Sequence, residues 1–292
     1  MKEITILSGK GGTGKTTITA ALAAVATNAV FCDNDVDAAD LHLIFQPEIV
    51  ETTPFASGWK AQINSLECSN CGTCVHFCQF DAIHFNRKGE LEINQFLCEG
   101  CRLCERMCPT KAISSTLCDN NSWFVSNSRF GILVHAQMGP GEENSGKLVT
   151  LVREKASEIA AENNMEYVIN DGPPGIGCAT ISSLTGTDTV LIVIEPTRSG
   201  LHDAERLVQL IRQFGAEALA LINKFDLNLA VSDQIENYLM SVDIPLIAKI
   251  PFDAEMVKAM NSGLTIVEYN SESPITAQVR HVWERLMYKP DK

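Results

Sequence analysis

Two runs of cysteine carry the first chemical signal in this 292-residue chain. Cys68, Cys71, Cys74 and Cys78 are spaced C-x2-C-x2-C-x3-C, and Cys98, Cys101, Cys104 and Cys108 repeat that spacing. Eight thiols in two tight runs suit iron–sulfur chemistry, with four thiolates for each 4Fe–4S cluster. Structural zinc uses four ligands, in pairs set well apart in sequence, and fits less well. The second signal is Gly9-Lys10-Gly11-Gly12-Thr13-Gly14-Lys15-Thr16, followed by Thr17. It fits G-x-x-x-x-G-K-[ST], with an apolar run before it and an alanine-rich stretch after it. Glycines let the backbone wrap phosphates and aim N–H groups at them, and a helix N-terminus adds partial positive charge. Lys15 is expected to reach the β- and γ-phosphates, and the Thr16 hydroxyl to ligate Mg²⁺.

The cysteine repeat extends past the thiols, since Ala82-Ile83 and Ala112-Ile113 stand at the same offset in each run. It resembles the bacterial ferredoxin pattern. Pro109 after Cys108 matches that pattern, whereas Gln79 after Cys78 departs from it without removing a ligand. In such a unit each cluster takes its fourth thiolate from the other run. The resemblance therefore implies one cluster on Cys68, Cys71, Cys74 and Cys108, and a second on Cys98, Cys101, Cys104 and Cys78. Of the remaining cysteines, Cys32 lies in an expected buried strand, Cys118 edges the cysteine-rich part, and Cys178 reads as a small buried residue at a helix start.

These groups need elements to hold them. Ile4 to Leu7 reads as a strand entering the glycine loop, and "AVFCDND" as a second strand ending in acids. After about residue 118, "FGILVHAQM", "EYVIN", "TVLIVIEPT", "ALALINKFD" and "IPLIAKIPFD" read as strands separated by amphipathic helices. Apolar, β-branched strands alternating with helices predict an α/β fold with a mostly parallel sheet flanked by helices. Residues 55–118 have short segments and no long helix. They are expected to form a small inserted α+β domain, with 1–54 and 119–292 forming the nucleotide-binding domain.

Net charge is −13, which disfavours general binding to a phosphate backbone. No apolar run is long enough to span a membrane. The N-terminus lacks the features of a signal peptide, so a cytoplasmic location is expected. Eleven cysteines in such a setting point to metal or redox chemistry rather than disulfides.

The lysine at position 10, in "KGGTGKTT", resembles the deviant Walker A motif of the P-loop ATPases that include MinD, ParA, the Mrp-type cluster carriers and the nitrogenase iron protein. The resemblance implies that Lys10 crosses a dimer interface to the nucleotide of a second copy. It also implies that Asp35, supported by Asp33, positions the attacking water or a Mg²⁺ water, and that Asp171 in "DGPPG" holds Mg²⁺ through water. Gly175 would let that loop move. Asn223-Lys224 and Pro251-Phe252-Asp253 resemble the adenine-side segments, with Asn223 on the base edge. Asp37 and Asp40 read as loop and helix-cap residues. Gly139–Val149 and Glu195–Leu207 also resemble segments of that group.

A nucleotide switch and a pair of clusters in one chain imply an ATPase, closing as a homodimer on MgATP, coupled to electron transfer with a partner protein. The cofactors expected are ATP or ADP, Mg²⁺ and two 4Fe–4S clusters. Two alternatives follow from the same resemblance: a cluster assembly or carrier protein, and a MinD- or ParA-like positioning ATPase. For the latter the last segment, with Trp283, could serve as a membrane helix, although packing on its own domain is the expected role and no membrane partner is foreseen.

Overall fold

The computed structural model of the chain describes residues 1–139 and 145–288. Thirteen strands are formed: β1 (Lys2–Ser8), β2 (Ala29–Asp33), β3 (Glu48–Phe55), β4 (Trp59–Ile63), β5 (Ile83–Phe85), β6 (Leu91–Ile93), β7 (Ile113–Leu117), β8 (Asn121–Ser128), β9 (Gly131–Gln137), β10 (Tyr167–Pro174), β11 (Thr189–Ile194), β12 (Glu217–Asn223) and β13 (Leu246–Ile250). The chain divides into two compact units, one of Met1–Thr52, Phe124–Ala136 and Ser145–Lys292, the other of Thr53–Trp123 and Gln137–Asn144.

The first unit is built on a nine-stranded sheet in the order β13-β12-β11-β1-β10-β2-β9-β8-β3. β1 pairs in parallel with both β10 and β11, and the parallel pairing continues through β12 to β13 and through β2 to β9. All six residues of β11 (TVLIVI) are buried, as expected for a strand covered on both faces. Ile4, Ile6, Ile18, Phe31, Ile169 and Leu191 belong to one core layer, and Leu7, Leu184, Val190, Ile192 and Leu207 to the other. The last helix, Pro274–Met287, joins the first layer: Trp283 is 5% exposed, and its ring meets Tyr167 edge-on at 5.1 Å. The helix is therefore committed to its own core. Among the described residues, no helix is long and apolar enough to cross a membrane.

β1 opens with two charged residues that are nevertheless buried. Glu3 is neutralised by Arg153, whose Nε and Nη2 donate to Oε1 at 2.8 and 2.5 Å, and Asn170 Nδ2 donates to the same oxygen at 2.7 Å. This network lies along β1 and β10, beside the residue that precedes Asp171.

On β9, His135 is buried against His42 and Phe124, its Nε2 3.0 Å from Ser126 Oγ. Burial, with His42 nearby, pushes its imidazole down to about 4. Since the unfolded chain takes the proton first, near pH 6.5, stability present above that pH is lost as pH falls toward 4. Between pH 7 and pH 5 the loss from this group is about 2 kcal/mol. Urea unfolding of His135→Gln and the natural chain at both pH values should show that much less pH dependence in the variant.

The second unit repeats itself. β4 pairs antiparallel with β7, with Ile63 opposite Ile113, and β5 pairs antiparallel with β6, with Ile83 opposite Ile93. Asn64 N–H donates to Ala112 C=O at 2.8 Å, and Asn94 N–H to Ala82 C=O at 2.7 Å. Each cysteine run is thus entered from a residue bonded to the end of the other run. Short helices, Thr73–Phe77 and Leu103–Met107, carry the third thiol of each run. The core is small: Ala61, Cys74, Ile83 and Ile113, with Cys78, Cys98, Cys104 and Cys108 packed against it. An interior this poor in aliphatic side chains calls for a staple.

Candidate functional site

β1 lies between β10 and β11, so the loop after Ser8 opens where the chain winds away in both directions, at the carboxyl ends of the parallel strands. That is where open α/β sheets place ligands. Gly11, Gly12, Thr13, Gly14, Lys15, Thr16 and Thr17 line a cleft of about 730 Å³ there, together with Asp35, Asn223, Lys224, Pro251 and Asp253. Phe252, Met256, Val257 and Met260 add an apolar wall suited to a flat ring. Gly9 lies outside the lining because its backbone packs against Asp203, where a Cβ would clash. Gly14 is held at φ +91°, and an added Cβ would strike the Asn223 amide. Gly14→Ala is therefore expected to lose about 1–3 kcal/mol of stability and at least about tenfold in ADP affinity. Thermal melts with and without ADP check both.

The β10–β2 register sets Asp171 opposite Asp33 beneath the loop. Asp171 gathers three donors: Lys15 Nζ at 2.9 Å, Thr16 Oγ1 at 2.7 Å and Thr19 Oγ1 at 2.8 Å. Lys15 Nζ also lies 3.8 Å from Asp35 Oδ2. Burial alone would lower the Lys15 pKa, but Asp171, Asp35 and Asp33 outweigh it and hold the ammonium charged. Burial pushes Asp35 up to about 6, against the pull of Lys15. Asp33 is fully buried and raised further, by desolvation and then by Asp171, while its oxygens accept the Asp35 and Leu41 N–H groups at 3.1 Å each. The hydroxyl of Thr16 and the carboxylates of Asp35 and Asp171 form a hard-oxygen donor set suited to Mg²⁺. The buried Thr13 hydroxyl has no partner, an orphan in the loop that an anionic ligand would satisfy.

Residues 4–266 match the CobQ/CobB/MinD/ParA nucleotide binding domain. The chain belongs to that family. An uncharacterized protein of Methanocaldococcus jannaschii is 33% identical over 97% of this chain and 96% of its own length. An iron-sulfur cluster carrier protein of Rickettsia typhi is 32% identical over 36% of this chain and 33% of its own. Among solved structures, the septum site-determining protein MinD of Pyrococcus horikoshii, complexed with Mg-ADP, superposes with a TM-score of 0.56 at 17% identity, covering 98% of this chain and 96% of that one. The fold is thus the α/β P-loop fold of the MinD/ParA ATPases.

Within that frame Lys10 is placed apart from the cleft. Its Nζ donates to Thr197 Oγ1 at 2.9 Å and pairs with Glu195 Oε2 at 3.0 Å. Lys224 takes the other oxygen of Glu195 at 2.9 Å and reaches Gly12 C=O at 3.1 Å. Glu195, Thr197 and Thr19 were not singled out by the sequence reading; the segment Glu195–Leu207 was noted only as a family-like stretch. Thr197 caps the helix Arg198–Phe214. Asn223 Nδ2 donates to Thr13 C=O at 2.7 Å, so its amide is engaged with the loop. Asp253 caps the helix Ala254–Asn261, accepting from Glu255 N–H at 2.8 Å. Asp40 stands at the cap of Leu41–Phe45 but makes no side-chain cap bond, because Asp33 takes the Leu41 N–H. Cys178 is exposed at the first position of Cys178–Leu184, which corrects its reading as a buried residue: the helix turns that position away from the core. Of the segment Gly139–Val149, residues 140–144 lie outside the described residues.

In the second unit, Cys78 of the first run lines one cavity of about 20 Å³ with Cys98, Cys101 and Cys104 of the second. Those four are the crossed set. Cys71 and Cys101 are exposed, Cys74 is buried, and the other ligand candidates are half-buried. Among the described residues, no three His, Cys, Asp or Glu side chains are gathered as a site for a metal ion. A cubane needs a different arrangement, four thiolates spread around a larger body. Gathering Cys78 across the repeat is what that donor set requires.

Proposed function

We propose that the protein is an ATP-hydrolysing switch coupled to electron transfer through two 4Fe–4S clusters. The carrying observation is the cavity that joins Cys78 to Cys98, Cys101 and Cys104 in a chain whose other unit holds the P-loop cleft. Cys68, Cys71, Cys74 and Cys108 would hold the first cluster, and Cys98, Cys101, Cys104 and Cys78 the second. The clusters supply one-electron storage and transfer. The chain's own groups do the rest. Gly11 to Thr17 wrap the phosphates, Lys15 neutralises them, and Thr16, Asp35 and Asp171 hold Mg²⁺. Asp35 orients the attacking water, and Asn223, Lys224, Pro251 and Asp253 surround the base. Two copies close on MgATP, and Lys10 leaves Glu195 to reach the nucleotide of the other copy. The cysteine unit is inserted between Asp35 and Asp171 in sequence, so loops that sense the γ-phosphate border both of its chain connections.

Anaerobic reconstitution is expected to load about eight irons per chain. MgATP is expected to double the mass in light scattering. A chain that hydrolyses ATP yet takes up no iron sinks the proposal. The second reading, a cluster carrier, has the Rickettsia typhi relative in its favour. Transfer of iron to an apo-acceptor at the rate of ATP turnover would favour it, and retention of iron through many turnovers would favour the electron-transfer reading.

A further inference from the structure

The two thiolate sets are not alike, and the difference follows the crossing. In the first run the residue two past Cys71 is Thr73; two past Cys101 in the second run it is Leu103. Two past Cys108 stands Thr110, and two past Cys78 stands Phe80. Because the fourth thiols are exchanged between runs, both threonines serve the set Cys68, Cys71, Cys74 and Cys108, and both apolar residues serve the other. The geometry agrees. Thr73 Oγ1 is 3.3 Å from Cys71 Sγ, and Thr110 Oγ1 is 3.6 Å from Cys108 Sγ. Ala112 N–H donates to Cys108 Sγ at 3.3 Å. Leu103 and Phe80 instead line the cavity around Cys78, Cys98, Cys101 and Cys104. A thiolate has no proton to give, so each hydroxyl must act as donor towards it.

From this we infer that Thr73 and Thr110 make the cluster on the first set the more easily reduced of the two. The inference rests on the proposed two-cluster reading. Reduction adds one negative charge. Hydroxyl donors at the sulfurs stabilise that charge, while an apolar wall offers it nothing. The charged neighbours act in the same direction: Lys111 follows Thr110 at the position where Asp81 follows Phe80, and Glu99 stands where the first run has Ser69. Arg102, beside the second set, is tied to Glu105 at 2.8 Å and stacked over Trp59 at 4.3 Å, so its charge is largely cancelled. An electron entering at the second set then leaves that cluster oxidised and reduces the first, with no proton moved.

The test is an anaerobic EPR titration with dithionite on the full reconstituted chain, beside iron analysis. Two one-electron waves are expected, at least tenfold apart in reduction equilibrium, or about 59 mV. Thr73→Val and Thr110→Val should each lower only the upper wave, and Leu103→Thr should raise only the lower. Full iron with coincident waves in the natural chain overturns the inference, as does full iron with threonine variants that shift the lower wave or neither wave. Failure to load iron overturns the two-cluster reading itself and the inference with it.

Discussion

Lys10→Ala is expected to hydrolyse ATP at least about 10³-fold more slowly than the natural chain, the effect of withdrawing a cation that meets transition-state charge from across an interface. The side chain does not line the cleft of its own chain; it is held by Glu195 and Thr197. If this were its whole role, removing it would cost one half-exposed ion pair, worth about 0–1 kcal/mol, and turnover would hardly change. The crossed role predicts instead that binding of ADP to the single chain survives while MgATP-driven dimerisation and turnover are lost. Steady-state phosphate release and light scattering on the same preparation separate the two. Unchanged turnover would leave Lys10 a surface staple.

The second large effect concerns the thiols. Cys78→Ala is expected to remove about four of about eight irons per chain, and Cys98→Ala the same number. The double variant distinguishes the wiring. If Cys78 completes the set of Cys98, Cys101 and Cys104, the double variant has still lost only one cluster and keeps about four irons. If each run fed its own cluster, both would go and iron would fall to near zero. The shared cavity of these four thiols predicts the first outcome. EPR of the two single variants should also show the same residual signal.

Residues whose role depends on local spacing were legible in the sequence. The loop from Gly9 to Thr16, the two cysteine runs, and the apolar strands that become β1 and β11 are read within a window of about a dozen residues. The parallel sheet followed from strand–helix alternation, and Trp283 was expected in the core. What escaped depends on which strands become neighbours. Lys10 and Glu195 are far apart in sequence and meet only because β11 pairs with β1. Thr19 reaches Asp171 because β10 lies beside β1, and no spacing rule encodes that. Glu3 and Arg153 each look like surface charges alone, and become a buried pair once the helix Ser145–Glu162 is laid on the sheet. Cys178 was misjudged because a small sulfur side chain at a helix start carries no sign of which way the helix faces. The asymmetry of Thr73 and Thr110 against Leu103 and Phe80 stood in the sequence, and gained meaning only when the cavity grouped Cys78 with the second run.

Coupling between nucleotide and electron is the central claim, and the most direct test is an anaerobic EPR redox titration of the reconstituted chain with and without MgATP under non-hydrolysing conditions. The account predicts that MgATP shifts at least one cluster midpoint by about 59 mV or more, a tenfold coupling for a one-electron step. Linkage then requires reduction to change ATP affinity by the same factor, which a nucleotide titration of oxidised and reduced protein reads independently. Identical midpoints with and without MgATP, together with one ATP affinity in both redox states, would contradict it.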